Sequence, residues 1–510
     1  MNLDSIPDFS NSDSIKKWLE NSHEKYIMEF KKSSSALPQD FWPSYSAFAN
    51  TNGGWIALGV IESVPQNELH GVTNTSGIIT NLWNLLSNPQ KTNARCVENT
   101  DVHTVEIDGN DIILIYVHEA PENMKPVYIN GNMDNTYIRT GDGDRKATPD
   151  ELNAFLRNAH PGQDNLAADK FTMEDLDADS VLDFKARVNK RYPKQKYMEM
   201  LNEQFLTEIG AAFRDRDTGR WLLKKGTLLF LGKVNTIKEL FPQYHVDYFN
   251  RRGHNARWID RVTDDEPSGY EMNLYNFFTI VYEKMRTMLQ EAFVLDSKQL
   301  RIPTSDFDET LRECIVNCLA HADYVQGYPS IKIEAFDGWF HFVNPGKMLV
   351  TKEQFKTGGD SRLRNEVIMK MFRLLGASER QGFGGPLIFK SAMENQFRSP
   401  EIETDIEHTE LKVWNIDLAD SYPNLSEIEK NILRILMKAP TPLSVKSVVE
   451  LADETDYQVR KAIASLVELE LLAKIGNGPS TKYTVATGTS ELLTKLQLML
   501  DSFRKVLSER

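Results

Sequence analysis

Residues 308–324 read DETLRECIVNCLAHADY, and in this stretch the polar residues Glu313, Asn317 and His321 recur every four positions. Four-residue spacing places them on one face of a helix, with Ile315, Val316 and Leu319 pointing elsewhere. The stripe holds no lysine or arginine, and it runs into Asp323 and then into glycine-rich loops. Two readings stand at this point, a solvated face and a chemical one. In the second, Glu313 orients a water and Asn317 offers an oxygen to a Mg²⁺ ion held by phosphates.

Downstream, VNPGKML (343–349) sets Asn344 at a strand end with Gly346 two places on. RQGFGGPLIFKSA (380–392) puts Gly382, Gly384 and Gly385 just before a helix that opens with Pro386. Backbone N–H groups at such a start cradle anions, although a tight turn needs the same glycines. Between these loops, TGGDSRLRNEVIMKMFRLLG (357–376) is polar and basic at its start, fit for a mobile lid over phosphates. SIKIEAF and WFHFVN read as an antiparallel strand pair among helices, which predicts an α/β sandwich. Taken together, residues 309–396 resemble the GHKL ATP-binding fold of gyrase and histidine kinases, in the divergent form found in bacterial Schlafen AlbA-like proteins. The resemblance implies Glu313 as the water-activating carboxylate and Asn317 as the Mg²⁺ ligand. It also implies Asn344 and Gly346 in the adenine-reading loop, Gly382, Gly384 and Gly385 at the triphosphate, and His321 and Asp323 in the same ATP site. Asn344 replaces the aspartate usual in that loop; its amide oxygen can still accept from an adenine amino group.

At 510 residues the chain is too long for one core. Its 41% hydrophobic and 26% charged residues are ordinary globular values. Cys96, Cys314 and Cys318 supply neither a disulfide framework nor paired zinc-binding units, and the last two read as packing residues. No leader-like start and no apolar run of membrane length are evident, so the expectation is a cytoplasmic protein with no membrane partner. A net charge of −14 repels nucleic acid at long range, so any such contact must come from local basic patches.

The N-terminal region offers HEKYIMEFK (23–31), whose two acids on a possible edge strand would by themselves pass as solvated charges. An aromatic-rich helix and the strand WIALGVIE (55–62) follow, then strands at 102–108 and 112–118, and the unit VYINGNMDNTYIRTGDGD with its own Asn-Gly turn. TPDELNAFLRNAH closes the domain as a capped helix, and HPGQDNLAADK reads as a linker. EKYIMEFKKS, YSAFANTNGGWIALGVIE and KPVYINGNMDNTYIRTGDGDRKATPDELNAFLR, in that order, resemble the bacterial Schlafen AlbA-like domain over residues 20–160. That resemblance implies Glu24, Glu29 and Glu62 as ligands of a divalent Mg²⁺ or Mn²⁺ ion, with Lys31 beside them. Family members more often have Asp at the third place. Three converging acids and a lysine are the minimum for metal-assisted phosphodiester hydrolysis, and many relatives of this kind only bind nucleic acid, so cleavage and binding both stand. Arg139, Arg145 and Lys146, around two glycines, are read as phosphate contacts, with a solvated hairpin as the alternative.

In the middle segment, WLLKKGTLLFLG and HVDYFNRRG read as strands and YNFFTIVYEKMRTMLQEAFV as a long buried helix; its chemistry is otherwise uninformative. FNRRGHNARW (249–258) is a weaker basic patch beside aromatics. From residue 426 three helices precede two strands around GNGPST, the order of a winged helix. Its recognition helix would be TDYQVRKAIASLVELELL, with Thr455 as cap and Arg460 and Lys461 facing a groove; dimerisation or internal docking is the alternative use. The expected fold is α+β multidomain: a Schlafen AlbA-like domain (1–160), a mixed connecting domain (161–300), a GHKL-like α/β sandwich (301–420) and a winged helix plus C-terminal helix (421–510). The expected protein binds ATP and RNA or DNA, forms homo-oligomers, and acts as an ATP-gated metal-dependent nuclease in antiviral defence. The alternative is a non-catalytic, ATP-responsive transcription regulator.

Overall fold

The computed structural model describes residues 12–21, 27–141, 143–253, 257–295, 304–326, 328–359, 362–378, 383–395, 397–422, 424–439, 441–476, 478 and 481–486. Glu24 and Gly382, both expected at functional sites, lie outside the described residues. Two compact units are present, Met1–Pro161 and Gly162–Arg510.

The first unit is built on a four-stranded sheet in the order Met28–Lys31, Gly54–Leu58, Asn110–Val117, Val102–Ile107. The first two strands are parallel and joined through the helix Phe41–Asn50, while the others are antiparallel. Alternation along the strands serves two cores. Phe30, Trp55, Ala57, Ile112 and Leu114 pack with Ile15 and Leu19 of the helix Ser12–Asn21. Ile56, Leu58, Ile113 and Ile115 pack with Phe41, Tyr45 and Phe48 of the crossover helix. Glu29 falls between Met28 and Phe30, so it points toward the crossover helix. The Asn-Gly turn is present, with positive φ at Asn130 and Gly131. It does not join the strand pair, however: the hairpin Tyr137–Thr140 and Gly143–Lys146 turns through the later glycines.

The second unit centres on a six-stranded sheet in the order Asp260–Thr263, Val246–Asn250, Ile331–Phe336, Trp339–Pro345, His408–Trp414, Glu401–Thr404. Among the described residues, its one parallel pairing joins Val246–Asn250 to Ile331–Phe336. The sheet therefore takes strands from both sides of residue 300. One apolar core, including Tyr248, Phe277, Leu311, Ile333, Phe342 and Phe372, covers both segments, so the domain break expected at 300 and 301 is absent. WLLKKGTLLFLG is corrected from strand to a short strand, Trp221–Leu223, followed by the helix Lys225–Leu231. A wholly buried apolar run carries no period that separates the two, and Leu228, Leu229, Phe230 and Leu231 are all buried. The expected linker is also partly structural. Asp164 is buried at the N-terminus of the helix Glu366–Leu375, where its carboxylate accepts from the N–H groups of Glu366, Val367 and Ile368 at 3.0, 2.8 and 3.1 Å.

Further along, the helices Glu427–Lys438, Val445–Ala452 and Asp456–Glu468 enclose a small core with a sheet ordered Leu443–Ser444, Lys482–Val485, Leu472–Ile475. Capping boxes Ser426 with Glu429 and Thr455 with Gln458 fix the starts of the first and third helices. Among the described residues no helix is long and apolar enough to cross a membrane.

Candidate functional site

The helix Thr304–Ala320 presents Glu313 and Asn317, with His321 just past its end, to a cleft of about 1110 Å³ including its open mouth. The sheet contributes Phe342, Asn344, Thr409 and Leu411, and Leu349, Met369 and Ile402 extend the apolar lining. Lys347, Arg362 and Arg373 add cations, and Gly384 and Gly385 form the remaining edge. Four-residue spacing thus brings the polar stripe to a cavity rather than to open solvent. Burial and the nearby Arg364 guanidinium lower the His321 pKa to about 4, so the ring is neutral at pH 7. Burial holds the Cys314 and Cys318 thiols well above their ordinary pKa, which makes them packing groups in the cleft wall.

Close packing accounts for the glycines. A Cβ on Gly384 would lie 2.2 Å from Glu313 Oε1 and 2.9 Å from Asn317 Nδ2. On Gly385 it would lie 1.8 Å from the carbonyl oxygen of Phe355, in the helix Lys352–Thr357. Gly346, at φ +90°, sits under Asp323 and Arg364, and its N–H donates to the Glu407 carbonyl at 2.7 Å. Asp323 itself lies beneath the cleft: it is buried, its backbone N–H donates to the Pro345 carbonyl at 2.9 Å, and its carboxylate is 3.9 Å from Arg364. Asp323 and Gly346 therefore shape the loop and are not among the cleft-lining residues.

Sequence reasoning missed Arg364 and Asn365, which it had grouped with a mobile lid. Both are buried. Arg364 donates to the carbonyls of His321 at 2.9 Å and Lys347 at 2.6 Å, and Asn365 to those of Ala320 and Ala322 at 3.0 and 2.8 Å. Because they tie the end of the site helix to the loop after Asn344, this part of the lid is a fixed buttress. The basic character of SRLRN was a visible signal, but its backbone acceptors were not.

ATP and a divalent cation fit these residues. Asn317 Nδ2 is buried without a hydrogen-bond partner, so turning the amide over would present its oxygen without breaking a bond made by that nitrogen. The lining is apolar for a base, and the cation set suits phosphates.

In the first unit Glu29 is buried, and both of its oxygens are engaged. Lys31 donates to Oε1 at 2.6 Å and Arg139 to Oε2; Arg139 also donates to Asp144 at 2.8 Å and to the Met28 carbonyl at 2.9 Å. Lys31 reaches Asp40 at 3.4 Å, and Ser44 donates to Asp144 at 2.6 Å. Glu62 is exposed just after the short strand Val60–Ile61. Among the described residues, Glu29 and Glu62 do not form a three-ligand group with another His, Cys, Asp or Glu. The Arg139 side chain is fully buried, so the expected phosphate contact is corrected to an internal ion pair. Arg145 and Lys146 are exposed, the first paired with Glu151 at 2.7 Å and the second donating to Asn135 at 3.0 Å. Tyr457, Arg460 and Lys461 share the exposed face of the helix Asp456–Glu468, with Arg460 paired to Asp456 at 2.6 Å.

One three-ligand group occurs among the described residues, His245 with Asp264 and Asp265. Lys238 already lies 2.7 Å from Asp264 and 3.2 Å from Asp265. Hydrogen bonds to Asp247 and Asp264 raise the His245 pKa to about 10, so the group is a balanced ion-pair knot.

Three family models match parts of the chain. The Schlafen AlbA_2 model covers residues 24–148, a domain of unknown function (DUF8451) covers 153–247, and a model described as ATP-dependent DNA helicase recG C-terminal covers 329–413. No curated protein matches the chain. A solved structure, the DIP2311 protein from Corynebacterium diphtheriae, has 15% sequence identity and a TM-score of 0.38, covering 90% of this chain and 95% of that one. The chain therefore combines a Schlafen AlbA-like domain with an ATPase-like domain of the recG C-terminal type.

Proposed function

We propose that the protein is an ATP-responsive nucleic-acid-binding regulator. The observation that carries this reading is the convergence of Glu313, Asn317, Asn344, Gly384 and Gly385 on one cleft with an apolar lining and three cations. Asn317 would hold Mg²⁺ together with the phosphates, Asn344 would meet the base, and Lys347, Arg362 and Arg373 would neutralise phosphate charge. When bound, ATP supplies a phosphoanhydride bond, and Glu313 is the carboxylate placed to orient a water toward it. Neutral His321 adds no charge, while Arg364 and Asn365 keep the helix end and base loop in register. Nucleic-acid contact is assigned to exposed Arg145 and Lys146 of the AlbA-like domain. The C-terminal three-helix module, read as a winged helix, would add Arg460 and Lys461.

Binding is favoured over cleavage because buried Glu29 is held between two cations, Lys31 and Arg139, whose positive charges oppose a divalent ion at the same carboxylate. The test uses labelled single-stranded RNA, single-stranded DNA and duplex DNA with Mg²⁺ or Mn²⁺, with and without ATP. Retained but uncut substrate, with affinity changed by ATP, supports the regulator. Cleavage abolished by Glu24→Gln with Glu29→Gln replaces it by a nuclease. An Asn317→Ala variant that still responds to ATP removes the nucleotide switch.

A further inference from the structure

The run KARVNKRYPKQK, residues 185–196, holds six cations and no acid in a chain whose net charge is −14. It forms the end of the helix Ala178–Arg191 and continues through the short turn Pro193–Gln195. Lys185 is buried and donates to the Met200 carbonyl and to Asn202, so it anchors the segment. Arg187, Lys190, Arg191, Lys194 and Lys196 are exposed. At the two ends, Arg187 pairs with Asp183 at 3.0 Å and Lys196 with Glu199 at 3.4 Å. Among the described residues no carboxylate pairs with Lys190, Arg191 or Lys194. Cations in the last turn of a helix offset its dipole, which accounts for Lys190 and Arg191. It does not account for Lys194 and Lys196, which lie beyond the helix.

We propose that residues 187–196 form a sequence-independent track for the phosphate backbone of nucleic acid. The proposal rests on the nucleic-acid reading above and gives that reading a surface outside the AlbA-like domain. Unbalanced positive charge on an acidic protein is complementary to a polyanion, and the exposed Tyr192 ring adjoins it with the Arg191 guanidinium 5.9 Å from its centre. A membrane surface is disfavoured, because the apolar face of this helix, Val181, Phe184 and Val188, is already spent in the protein core and cannot insert. Arg191 also packs on Gly376, where a Cβ would lie 1.8 Å from its Nη1. Gly376 ends the helix Glu366–Leu375, whose Met369 and Arg373 line the nucleotide cleft, so the track and the cleft share one element.

The experiment compares the full chain with a Lys190→Gln/Lys194→Gln variant, leaving Arg191 in its packing position. Fluorescence anisotropy with a labelled single-stranded oligonucleotide and a labelled duplex is read across about 50 to 200 mM salt. The variant is expected to bind about tenfold more weakly at the low end, with a slope of log affinity against log salt smaller by about 1.4 on single strands and 1.8 on duplex. Its melting temperature and its ATP-induced melting shift should match wild type. Unchanged affinity and slope would overturn the track while leaving nucleic-acid binding elsewhere intact. Absence of any binding by wild type would overturn both, and a loss confined to phosphatidylserine vesicles would assign the surface to membranes instead. A missing ATP shift in wild type would count against the cleft reading alone.

Discussion

Arg139 shows how far a single buried charge can depart from its apparent role. In the sequence it is one of three cations near a glycine turn; in the fold it holds Glu29 and Asp144 together with its side chain fully enclosed. Among the described residues, removing it would leave Glu29 with Lys31 alone and Asp144 with only the Ser44 hydroxyl. Arg139→Met is therefore expected to destabilise the protein by about 3 kcal/mol, measured by denaturant melting. Arg139→Met with Glu29→Gln should recover part of that loss; no recovery would mean the pair is not the main cost. Gly384 makes the opposite case, since its missing side chain is what matters. Gly384→Ala would push a methyl against Glu313 and Asn317, and the expected result is at least about a tenfold loss of ATP affinity by calorimetry with melting changed by no more than about 1 to 3 kcal/mol. Equal affinity would show that the carboxylate yields freely.

At the scale of elements, the period-four stripe on residues 308–324 was enough to place Glu313, Asn317 and His321 on one wall, and Asn344 followed from a strand end. The buttress was not legible. Arg364 bonds to carbonyls 17 and 43 residues away, and a backbone acceptor leaves no mark on composition. The helix at 225–231 was hidden for another reason, because uniform burial erases the period that separates helix from strand. The expected metal cluster depended on side-chain direction, and pairing Glu29 with Arg139 requires the hairpin at 137–146 to fold back onto the first strand.

Two further elements make predictions. The helix Lys352–Thr357 rests on Gly385 through a backbone carbonyl, which cannot move aside as a side-chain tip can. Gly385→Ala should displace that helix and speed proteolysis within residues 351–359, read by mass spectrometry; wild-type cleavage rates would refute the contact. The strand Val246–Asn250 begins beside His245, whose pKa is raised from 6.5 to about 10 by Asp247 and Asp264. A raised folded-state pKa gives stability that is fully present below about pH 6.5 and is lost as pH climbs toward 10. Wild type should therefore lose about 2 kcal/mol across that window relative to His245→Gln, allowing for solvent screening. Parallel curves for the two proteins would show that the ring is not charged in the fold.

For the whole molecule, an acidic chain that binds a polyanion must do so through patches, and its affinity must fall steeply with salt. Three such patches are proposed to make that contact: Arg145 with Lys146, residues 187–196, and Arg460 with Lys461. The first and last follow from motifs of the domains that carry them; the second is a charge run with no motif around it, and only its exposure and, among the described residues, the lack of carboxylate partners for Lys190, Arg191 and Lys194 distinguish it. Composition excluded a disulfide-built protein and limited the field to local cation clusters, but could not rank them, since exposure and pairing decide which cations remain available.

Asp164 has a practical consequence for taking this chain apart. The segment around it reads as a spacer, and a cut anywhere within it would look harmless. Yet its carboxylate closes the N-terminus of the helix that carries Met369 and Arg373 into the cleft, and two residues earlier the Gly162 N–H donates to the Arg364 carbonyl at 2.9 Å. A C-terminal fragment beginning at residue 162 keeps all four of these bonds. One beginning at residue 166 leaves three amide donors of that helix without their acceptor, at a cost of about 1 to 2 kcal/mol, and loosens the floor of the nucleotide cleft. A fragment begun four residues too late is thus expected to bind ATP more weakly than one that begins at residue 162, a difference that calorimetry on the two fragments would measure.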